Sequence, residues 1–309
     1  MSCYRPITAY YSRSVNPATG KRALQFSRVG AFTGEPLSLP CGKCIGCRLE
    51  KSRVWAIRCL HESKMHKRNV FVTLTYDNEH LPRFGTLVKR DLSLFLKRLR
   101  DWYFREHGLS FRYYACGEYG DISQRPHYHA LLFGIDFDDK VLYSQGDYPL
   151  FTSQKLDELW GNGVCKIGEV NFETAAYTAR YCVKKVDGPQ REAGHYLVYD
   201  GDGEVFERVP EFAVMSRRPG VGAPYFAKYG REIRAHDSIV VNGREVPSIR
   251  YYDKEFEKLD EAAFRRVKRK RLPRNKLEWD KRFDEGLSGR VFAKETVTRA
   301  MLKQKRKIL

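Results

Sequence analysis

Two histidines separated by a single residue are spaced to hold a metal ion. His127 and His129 flank Tyr128 and lead directly into an apolar run at residues 130–133. Because side chains alternate between the faces of a strand, both imidazoles would point the same way, about 6–7 Å apart, with Tyr128 towards the core. Imidazole nitrogens are common ligands of divalent metals. The alternative is a pair of hydrogen-bonded histidines with no metal.

A carboxylate upstream supplies a candidate third ligand. Glu118 ends a predicted strand, and it would lie across a hairpin from the histidines if the intervening residues form the loop. Asp121 and Gln124 compete for this role, and a solvated turn carboxylate is the alternative for Glu118. Two nitrogens and one oxygen, with positions left open, suit Mn²⁺ or Mg²⁺ in phosphoryl transfer.

Two tyrosines four residues apart form the second candidate group. Tyr177 and Tyr181 would share one face of a helix, with Lys184 one turn beyond and Lys185 beside it. A phenol with a pKa near 10 is a poor nucleophile unless a cation or a metal-polarised target assists it. The lysines and the histidine-bound ion could provide this assistance. The alternative is an amphipathic helix with core tyrosines and solvated lysines.

Three cysteines in a glycine-containing loop have the spacing of metal ligands. They follow a Cys-x2-Cys-x2-Cys pattern at Cys41, Cys44 and Cys47. Candidates for the fourth ligand are Cys3 first, then Cys59 and His61. Zinc is favoured and an iron–sulfur cluster is possible, while inert thiols are the alternative. A structural zinc would fold a segment that has few core residues.

The elements that must position these groups follow from hydrophobic periodicity. Strands are predicted at residues 69–76, 111–116, 128–135 and 164–170. Helices are predicted at residues 48–67, 88–106, 154–160 and 173–186. Strands and helices that alternate around an antiparallel sheet predict an α+β fold. Residues 190–250 are glycine-rich and polar, with short runs typical of strands.

The charge of the chain favours a polyanionic partner. Its 309 residues carry 56 Lys and Arg against 38 Asp and Glu, a formal net charge of +18. Nucleic acid and anionic membrane surfaces both fit this surplus. No 18-residue apolar stretch and no signal-peptide core are visible, so we expect no membrane association and a reducing cytoplasm. The eight cysteines are then expected as thiols or metal ligands.

Several basic residues are candidates for contacts with DNA. One set follows the cysteine loop: Arg48, Lys51 and Arg53. A second set lies beside the tyrosines: Arg180 and Lys185. A third belongs to the basic run at residues 264–276: Lys268, Arg269, Lys270 and Arg271. Such runs add salt-dependent, non-specific affinity for nucleic acid.

Taken in order, three motifs resemble those of the replication initiator proteins of the HUH endonuclease superfamily. They are the strand at residues 71–76, His127-Tyr128-His129, and Tyr177-x-x-x-Tyr181 followed by lysines. Histidines before tyrosines is the replication-initiator order. Paired tyrosines narrow the resemblance to initiators of small single-stranded-DNA phages, and over residues 1–230 to the microviruses, especially the gokushovirus branch.

This resemblance implies an architecture and a set of roles. It implies an HUH core of ferredoxin/RRM-like type at residues 67–188, a Cys-rich segment at 1–66 and a basic C-terminal extension at 189–309. The implied roles are metal ligation by His127, His129 and Glu118, nucleophilic attack by Tyr177 and Tyr181, and an active-site cation at Lys184. Arg180 departs from the family, where a lysine often precedes the second tyrosine, but it keeps the charge.

The resemblance also implies a function. The protein would nick the origin of supercoiled circular phage DNA and form a 5′-phosphotyrosine link, leaving a 3′-OH for host polymerase. The second tyrosine would release single-stranded circles, in the cytoplasm of the infected bacterium. The sequence has no Gly-x-x-x-x-Gly-Lys-[Ser/Thr] motif, so a host helicase would unwind the DNA. The alternatives are a metal-dependent nuclease that uses activated water, and a non-catalytic zinc-containing nucleic-acid-binding protein.

Overall fold

The computed structural model describes residues 3–180, 185–186, 189–284 and 287–308. Its strands are β1 (Ile7–Val15), β2 (Arg22–Gln25), β3 (Leu37–Leu39), β4 (Asn69–Tyr76), β5 (Arg112–Tyr119), β6 (Pro126–Phe133), β7 (Val141–Ser144), β8 (Leu150–Thr152), β9 (Gly163–Glu169), β10 (Leu197–Tyr199), β11 (Val205–Glu207), β12 (Phe212–Met215), β13 (Ser238–Val241) and β14 (Arg244–Pro247). Its helices are α1 (Ile45–Ser63), α2 (Lys89–His107), α3 (Gln154–Trp160), α4 (Phe172–Ala179), α5 (Pro189–Glu192), α6 (Ala223–His236), α7 (Arg250–Leu259), α8 (Glu261–Asp284) and α9 (Leu287–Ile308).

Two compact units make up the chain. One contains Met1–Glu50 and Asn275–Leu309, and the other contains Lys51–Arg274. The first unit holds a three-stranded sheet of order β2-β1-β3. The second holds a seven-stranded sheet of order β12-β5-β6-β4-β9-β8-β7. The predicted three-part division at residues 66 and 188 stays a prediction.

Every neighbouring pair of strands in the seven-stranded sheet is antiparallel. The α+β class with antiparallel sheets and a cysteine cluster near the N-terminus is therefore confirmed. Strand β6 lies between β5 and β4, so its side chains have neighbours on both sides. Strand β12 comes from beyond residue 188 and forms one edge of the sheet.

One face of the sheet packs on α2 and α3. Strand β4 alternates strictly between buried and half-buried residues, with Val70, Val72, Leu74 and Tyr76 fully on the buried side. These side chains join the main core with Leu92, Phe95, Leu99, Leu156 and Trp160 of the two helices. The buried Tyr128 points into this core, as the alternation predicted, and its hydroxyl lies 2.8 Å from that of Tyr76.

The opposite face carries α1 and α4. Ala56 and Cys59 of α1 and Ala175 and Ala179 of α4 pack against β5 and β6 in a second core. The start of α4 is fixed by a capping box, in which Asn171 and Thr174 each accept a hydrogen bond from the other's backbone amide, at 2.8 and 2.9 Å. This cap places the next turns of α4 over the sheet.

A third core follows the sheet in the same unit. It is built by α6, α7 and the β13–β14 hairpin against the outer face of α1, through Ile57, Phe226, Ile233, Ile239, Ile249, Tyr252 and Phe256. Among the described residues, no helix combines the length and the apolar character needed to cross a bilayer.

Candidate active site

The register of three neighbouring strands brings the predicted metal ligands together. Glu118 on β5 lies opposite His127 on β6, across the hairpin that the sequence predicted. On the other side of β6, Thr73 of β4 lies opposite His129. The rival ligand Gln124 instead donates a hydrogen bond from its side chain to the Gly120 carbonyl within the turn after β5.

The three ligand atoms converge on one point. Oε1 of Glu118 lies 3.2 Å from Nε2 of His127 and 3.2 Å from Nε2 of His129, and all three atoms lie within 4.8 Å of one another. Neighbouring ligands of an octahedral ion with bonds of about 2.1 Å are about 3 Å apart. Glu118 is 1% exposed and His129 is 4% exposed. The site is therefore a buried group of two nitrogens and one oxygen at metal-binding spacing.

Hydrogen bonds behind the histidines favour this use. Nδ1 of His127 lies 3.1 Å from the Arg125 carbonyl, which can only accept, so this nitrogen carries the hydrogen. In the neutral ring, the lone pair of Nε2 then faces the Glu118 carboxylate. A lone pair that faces a carboxylate at 3.2 Å is a natural place for a cation. The residues present therefore fit a divalent ion.

His129 is held from two further directions. Oγ1 of Thr73 lies 3.0 Å from its Nδ1, and the Phe71 ring stacks on its imidazole at 5.4 Å between centroids. Both residues belong to the first motif, for which the sequence suggested a structural or DNA-contacting role. The contact of Thr73 with His129 was not predicted, and neither was the contribution of the Arg125 carbonyl, since a backbone group leaves no signature in residue type.

Tyr177 reaches the same carboxylate from α4. Its hydroxyl donates a hydrogen bond of 3.2 Å to Oε1 of Glu118, and its ring lies edge-on to His129 at 5.0 Å between centroids. Burial, together with the negative charge of Glu118, raises the pKa of Tyr177 well above its ordinary value. The phenol therefore stays protonated unless positive charge offsets the carboxylate.

The rest of the tyrosine motif is only partly described. Tyr181 and Lys184 lie outside the described residues. Arg180 ends α4, and its guanidinium carbon lies 5.7 Å from the centre of the Tyr177 ring. Lys185 is half-buried. Of the two predicted nucleophiles, the structure thus places Tyr177 at the Glu118–His127–His129 group.

The cysteine cluster forms a second candidate metal site. The sulfurs of Cys3, Cys41, Cys44 and Cys47 all lie within 4.8 Å of one another, with Cys44 and Cys3 at 3.9 Å. Sulfurs around a tetrahedral zinc with bonds of about 2.3 Å are about 3.8 Å apart. Four converging thiols therefore fit zinc.

The two rival fourth ligands of that cluster lie elsewhere. Cys59 is buried in the core under α1 and α4. His61 is fully buried, with its Nδ1 2.7 Å from the Tyr252 hydroxyl.

Backbone amides surround the cluster sulfurs. The amide of Tyr4 donates to Sγ of Cys44 at 3.3 Å, and the amide of Cys41 donates to Sγ of Cys3 at 3.3 Å. Burial alone would raise the pKa of Cys44, but hydrogen bonds from the amides of Tyr4 and Cys47 help to lower it to about 7. Such amides favour the thiolate form that binds metal.

The predicted DNA-contacting residues fall in two helices and at the end of a third. Arg48, Lys51 and Arg53 lie on α1, Arg180 ends α4, and Lys268, Arg269, Lys270 and Arg271 lie on α8. Arg271 differs from its neighbours, because its guanidinium binds the carboxylates of Asp237 and Asp253. Lys268 lies 3.1 Å from Glu257, whereas Arg269 and Lys270 are exposed. Their contacts with DNA stay predictions.

Comparison with known proteins gives the family. Residues 69–186 match the family model that describes replication-associated proteins of the ORF2 type. Similar proteins include Replication-associated protein ORF2 of Spiroplasma virus 4, which is 35% identical over 76% of this chain and 73% of its own length. Replication-associated protein VP4 of Bdellovibrio phage phiMH2K is 32% identical over 84% of this chain and 78% of its own.

A third relative is more distant. Replication-associated protein ORF4 of Chlamydia phage 1 is 30% identical over 69% of this chain and 52% of its own length. No solved structure matches the chain. The resemblance to replication proteins of small phages is thereby confirmed, and the chain belongs to the family of phage replication-associated proteins.

Proposed function

We propose that this protein initiates rolling-circle replication by nicking the origin of a circular phage DNA with a tyrosine nucleophile. One observation carries the proposal. A single carboxylate oxygen, Oε1 of Glu118, lies 3.2 Å from both histidine nitrogens and 3.2 Å from the Tyr177 hydroxyl. A phenol that shares a ligand with a metal-binding group is adjacent to any phosphate held there.

His127, His129 and Glu118 would hold a Mg²⁺ or Mn²⁺ ion. When bound, such an ion polarises the scissile phosphate and offsets the negative charge of Glu118. Release of the hydroxyl of Tyr177 from Glu118 then leaves its oxygen free to face the phosphorus. The edge-on contact of its ring with His129 keeps the phenol in place while this happens.

The chemical step exchanges one phosphate ester for another. The phenol oxygen of Tyr177 forms a bond to phosphorus, and the bond from phosphorus to the 3′ oxygen of the preceding nucleotide breaks. The phenol proton leaves to a nearby base or to solvent, and the 3′ oxygen gains a proton to become the 3′-OH. The 5′-phosphotyrosine ester keeps the bond energy for later rejoining of the ends.

The second tyrosine would complete the cycle. Tyr181 follows Tyr177 by four residues, so it would attack the regenerated origin while Tyr177 still carries the first 5′ end. The freed 3′-OH then closes a single-stranded circle. Lys184 would stabilise the phenolate as a nearby cation.

The fold is consistent with an HUH endonuclease core. The histidine strand β6 lies inside an antiparallel sheet beside β4, and the tyrosine helix α4 packs on the face that carries the histidines. We extend the proposal to the cysteine cluster, where Cys3, Cys41, Cys44 and Cys47 would hold a structural zinc. Four thiolates close the coordination sphere and leave no position for a reactant.

The proposed partners are single-stranded and supercoiled circular DNA in the cytoplasm of an infected bacterium. The net charge of +18 supports binding of a polyanion. Host polymerase would extend the 3′-OH. A host helicase would unwind the duplex, because the sequence contains no phosphate-binding loop of the helicase type.

Denaturing gel electrophoresis tests the proposal. The protein is incubated with labelled origin-bearing single-stranded DNA and Mn²⁺, as wild type, Tyr177→Phe, Tyr181→Phe and the double variant. Tyr199→Phe, at an exposed tyrosine, is the matched control. We expect a covalent protein–DNA band that is lost only in the double variant.

Each other outcome rejects the nickase. Cleavage with no covalent band in any variant would favour a nuclease that uses activated water. Binding of DNA without cleavage by the wild-type protein would favour a non-catalytic zinc-containing nucleic-acid-binding protein.

A further inference from the structure

One face of the small N-terminal sheet exposes apolar side chains together with arginines. We call it the β1–β2 face, and its residues are Ile7, Tyr11, Arg13, Val15, Arg22, Leu24 and Phe32. The apolar members are each between 42% and 53% exposed. Single exposed apolar residues are ordinary, but five on one face of a three-stranded sheet mark a surface that binds something.

The register places these side chains on the same side. Tyr11 pairs with Leu24 and Val15 with Arg22, and directly opposite residues share a face. The bridge between Ser12 and Ala31 turns Ala31 to the other side, so the next residue, Phe32, points to the side of Tyr11. Arg22 bears this out, because its guanidinium stacks on the Phe32 ring at 3.5 Å.

The charge around this face has one sign. Residues 1–34 contain five basic residues and no Asp or Glu. Nε of Arg13 donates to the Ala31 carbonyl and a terminal nitrogen of Arg22 to the Ser12 carbonyl, each at 3.3 Å. Carbonyl oxygens fix the direction of a guanidinium without cancelling its charge. The face therefore combines aromatic rings with positive charge, which fits a polyanion that carries flat apolar groups.

We propose that the β1–β2 face binds single-stranded DNA. Bases would stack on Tyr11 and Phe32, and phosphates would lie against Arg13 and Arg22, in the manner of sheet platforms for single strands. The nine residues of β1 span roughly 30 Å, which is the length of about eight nucleotides stacked at about 3.4 Å. The identity of the strand rests on the proposed function, but the binding itself requires no chemistry at the candidate active site.

Fluorescence anisotropy with the full-length protein tests this proposal. The probe is labelled oligothymidylate without an origin, with no divalent metal added, at several salt concentrations. One variant pair is Tyr11→Ala with Phe32→Ala, and the other is Arg13→Gln with Arg22→Gln. The controls on α2 are Phe104→Ala and Arg100→Gln, because Phe104 is 62% exposed and Arg100 is also exposed.

The two pairs have different expected effects. Loss of two stacking rings should weaken binding by roughly 30-fold or more. Loss of two phosphate contacts should reduce the slope of log affinity against log salt by about 1.4. The α2 controls should match the wild type. Unchanged zinc content and circular dichroism would establish that the variants fold.

Two outcomes would overturn the proposal. Wild-type affinity and salt slope in both pairs would exclude DNA from this face. Wild-type affinity with a lower oligomeric state in light scattering would assign the face to contact between copies of the chain. The covalent band with origin DNA is recorded for the wild type in parallel. Its absence would reject the nickase and leave the binding result standing.

Discussion

The two candidate metal sites differ in how the chain builds them. The Glu118–His127–His129 group is held by adjacent strands of one sheet, and a hydroxyl of α4 reaches it. The cysteine cluster joins Cys3 to a loop about forty residues later, and backbone amides surround its sulfurs. Three ligands beside a hydroxyl leave room for a reactant, whereas four thiolates do not.

The protonation of the two sites differs in the same direction. Amides lower the pKa of Cys44 to about 7, so its thiolate is available to a metal near neutral pH. Burial and Glu118 raise the pKa of Tyr177, so its phenolate is disfavoured in the metal-free site. The cysteine cluster is prepared to bind an ion, and the Glu118–His127–His129 group withholds its nucleophile until a cation is present. The predictions below are ordered by their expected effect on cleavage.

The largest effect is expected for Glu118→Gln. This change keeps the shape of the side chain but removes the charge that a cation would meet. The cleavage rate with Mn²⁺ should fall by about 10²–10³-fold, measured by formation of the covalent band. Asp121→Asn is the control, since it removes a carboxylate three residues further along. An equal loss in both variants would contradict the assignment of Glu118.

A smaller effect is expected for Thr73→Val. The change removes the hydroxyl 3.0 Å from Nδ1 of His129 while keeping the volume. The Mn²⁺ concentration for half-maximal cleavage should rise by about 10–100-fold, with the rate recovering at saturating metal. Thr75→Val, two residues along the same face of β4, should leave the metal requirement unchanged. A lower maximal rate with an unchanged metal requirement would refute this role for Thr73.

Cleavage of a short single strand should change little in Cys44→Ser. The bound zinc, measured by elemental analysis, should be lost, and the N-terminal unit should unfold at lower temperature because metal binding stabilises such segments. Cys59→Ala removes the rival ligand and should keep the zinc. Full zinc content in Cys44→Ser would contradict the four-thiolate site.

The smallest effect on cleavage is expected at His61, the other rival ligand. Burial lowers the pKa of His61 from 6.5 to about 3. Between these two pH values the unfolded chain binds a proton that the folded chain excludes, so the free energy of unfolding falls as the pH falls through this window.

His61→Phe removes that titration. The free energy of unfolding of this variant, from denaturant titrations, should depend less on pH there, by up to about 1.4 kcal/mol per pH unit. His107→Phe, at an exposed histidine, is the control. An unchanged pH dependence in His61→Phe would show that His61 is not buried neutral.

Much of the candidate site could be predicted because it depends on local periodicity. Alternation along β6 fixes the shared face of His127 and His129, and a short hairpin fixes Glu118 opposite them. The boundaries of α3 were predicted at residues 154–160 and are confirmed. These features depend on neighbouring residues alone, so the pattern of residue types is sufficient.

Contacts between distant segments could not be predicted in the same way. Thr73 meets His129 only because β4 and β6 are neighbours in the sheet, and their order is not written in local periodicity. Arg271 is in a run that reads as a DNA contact, yet Asp237 and Asp253 bind it. Such pairings depend on the path of the chain.

Helix α6 was missed for a different reason. It contains Pro224 near its start and Gly230 inside, two residues that normally argue against a helix. Proline is favoured in the first turn, where its missing amide hydrogen costs nothing. Gly230 lies against the Phe226 ring at 3.3 Å from its would-be Cβ, so tertiary packing explains the glycine. The sequence of residues 190–250 therefore read as strands and turns.

The central claim is that Tyr177 is a nucleophile, and peptide mapping tests it most directly. Trypsin cuts after Lys166, Arg180 and Lys184, so the two tyrosines fall in separate peptides, 167–180 and 181–184. The wild-type covalent complex would be treated with nuclease and trypsin and analysed by mass spectrometry. We expect a nucleotide on the peptide 167–180. A nucleotide found only on 181–184, or on neither peptide, would contradict the account.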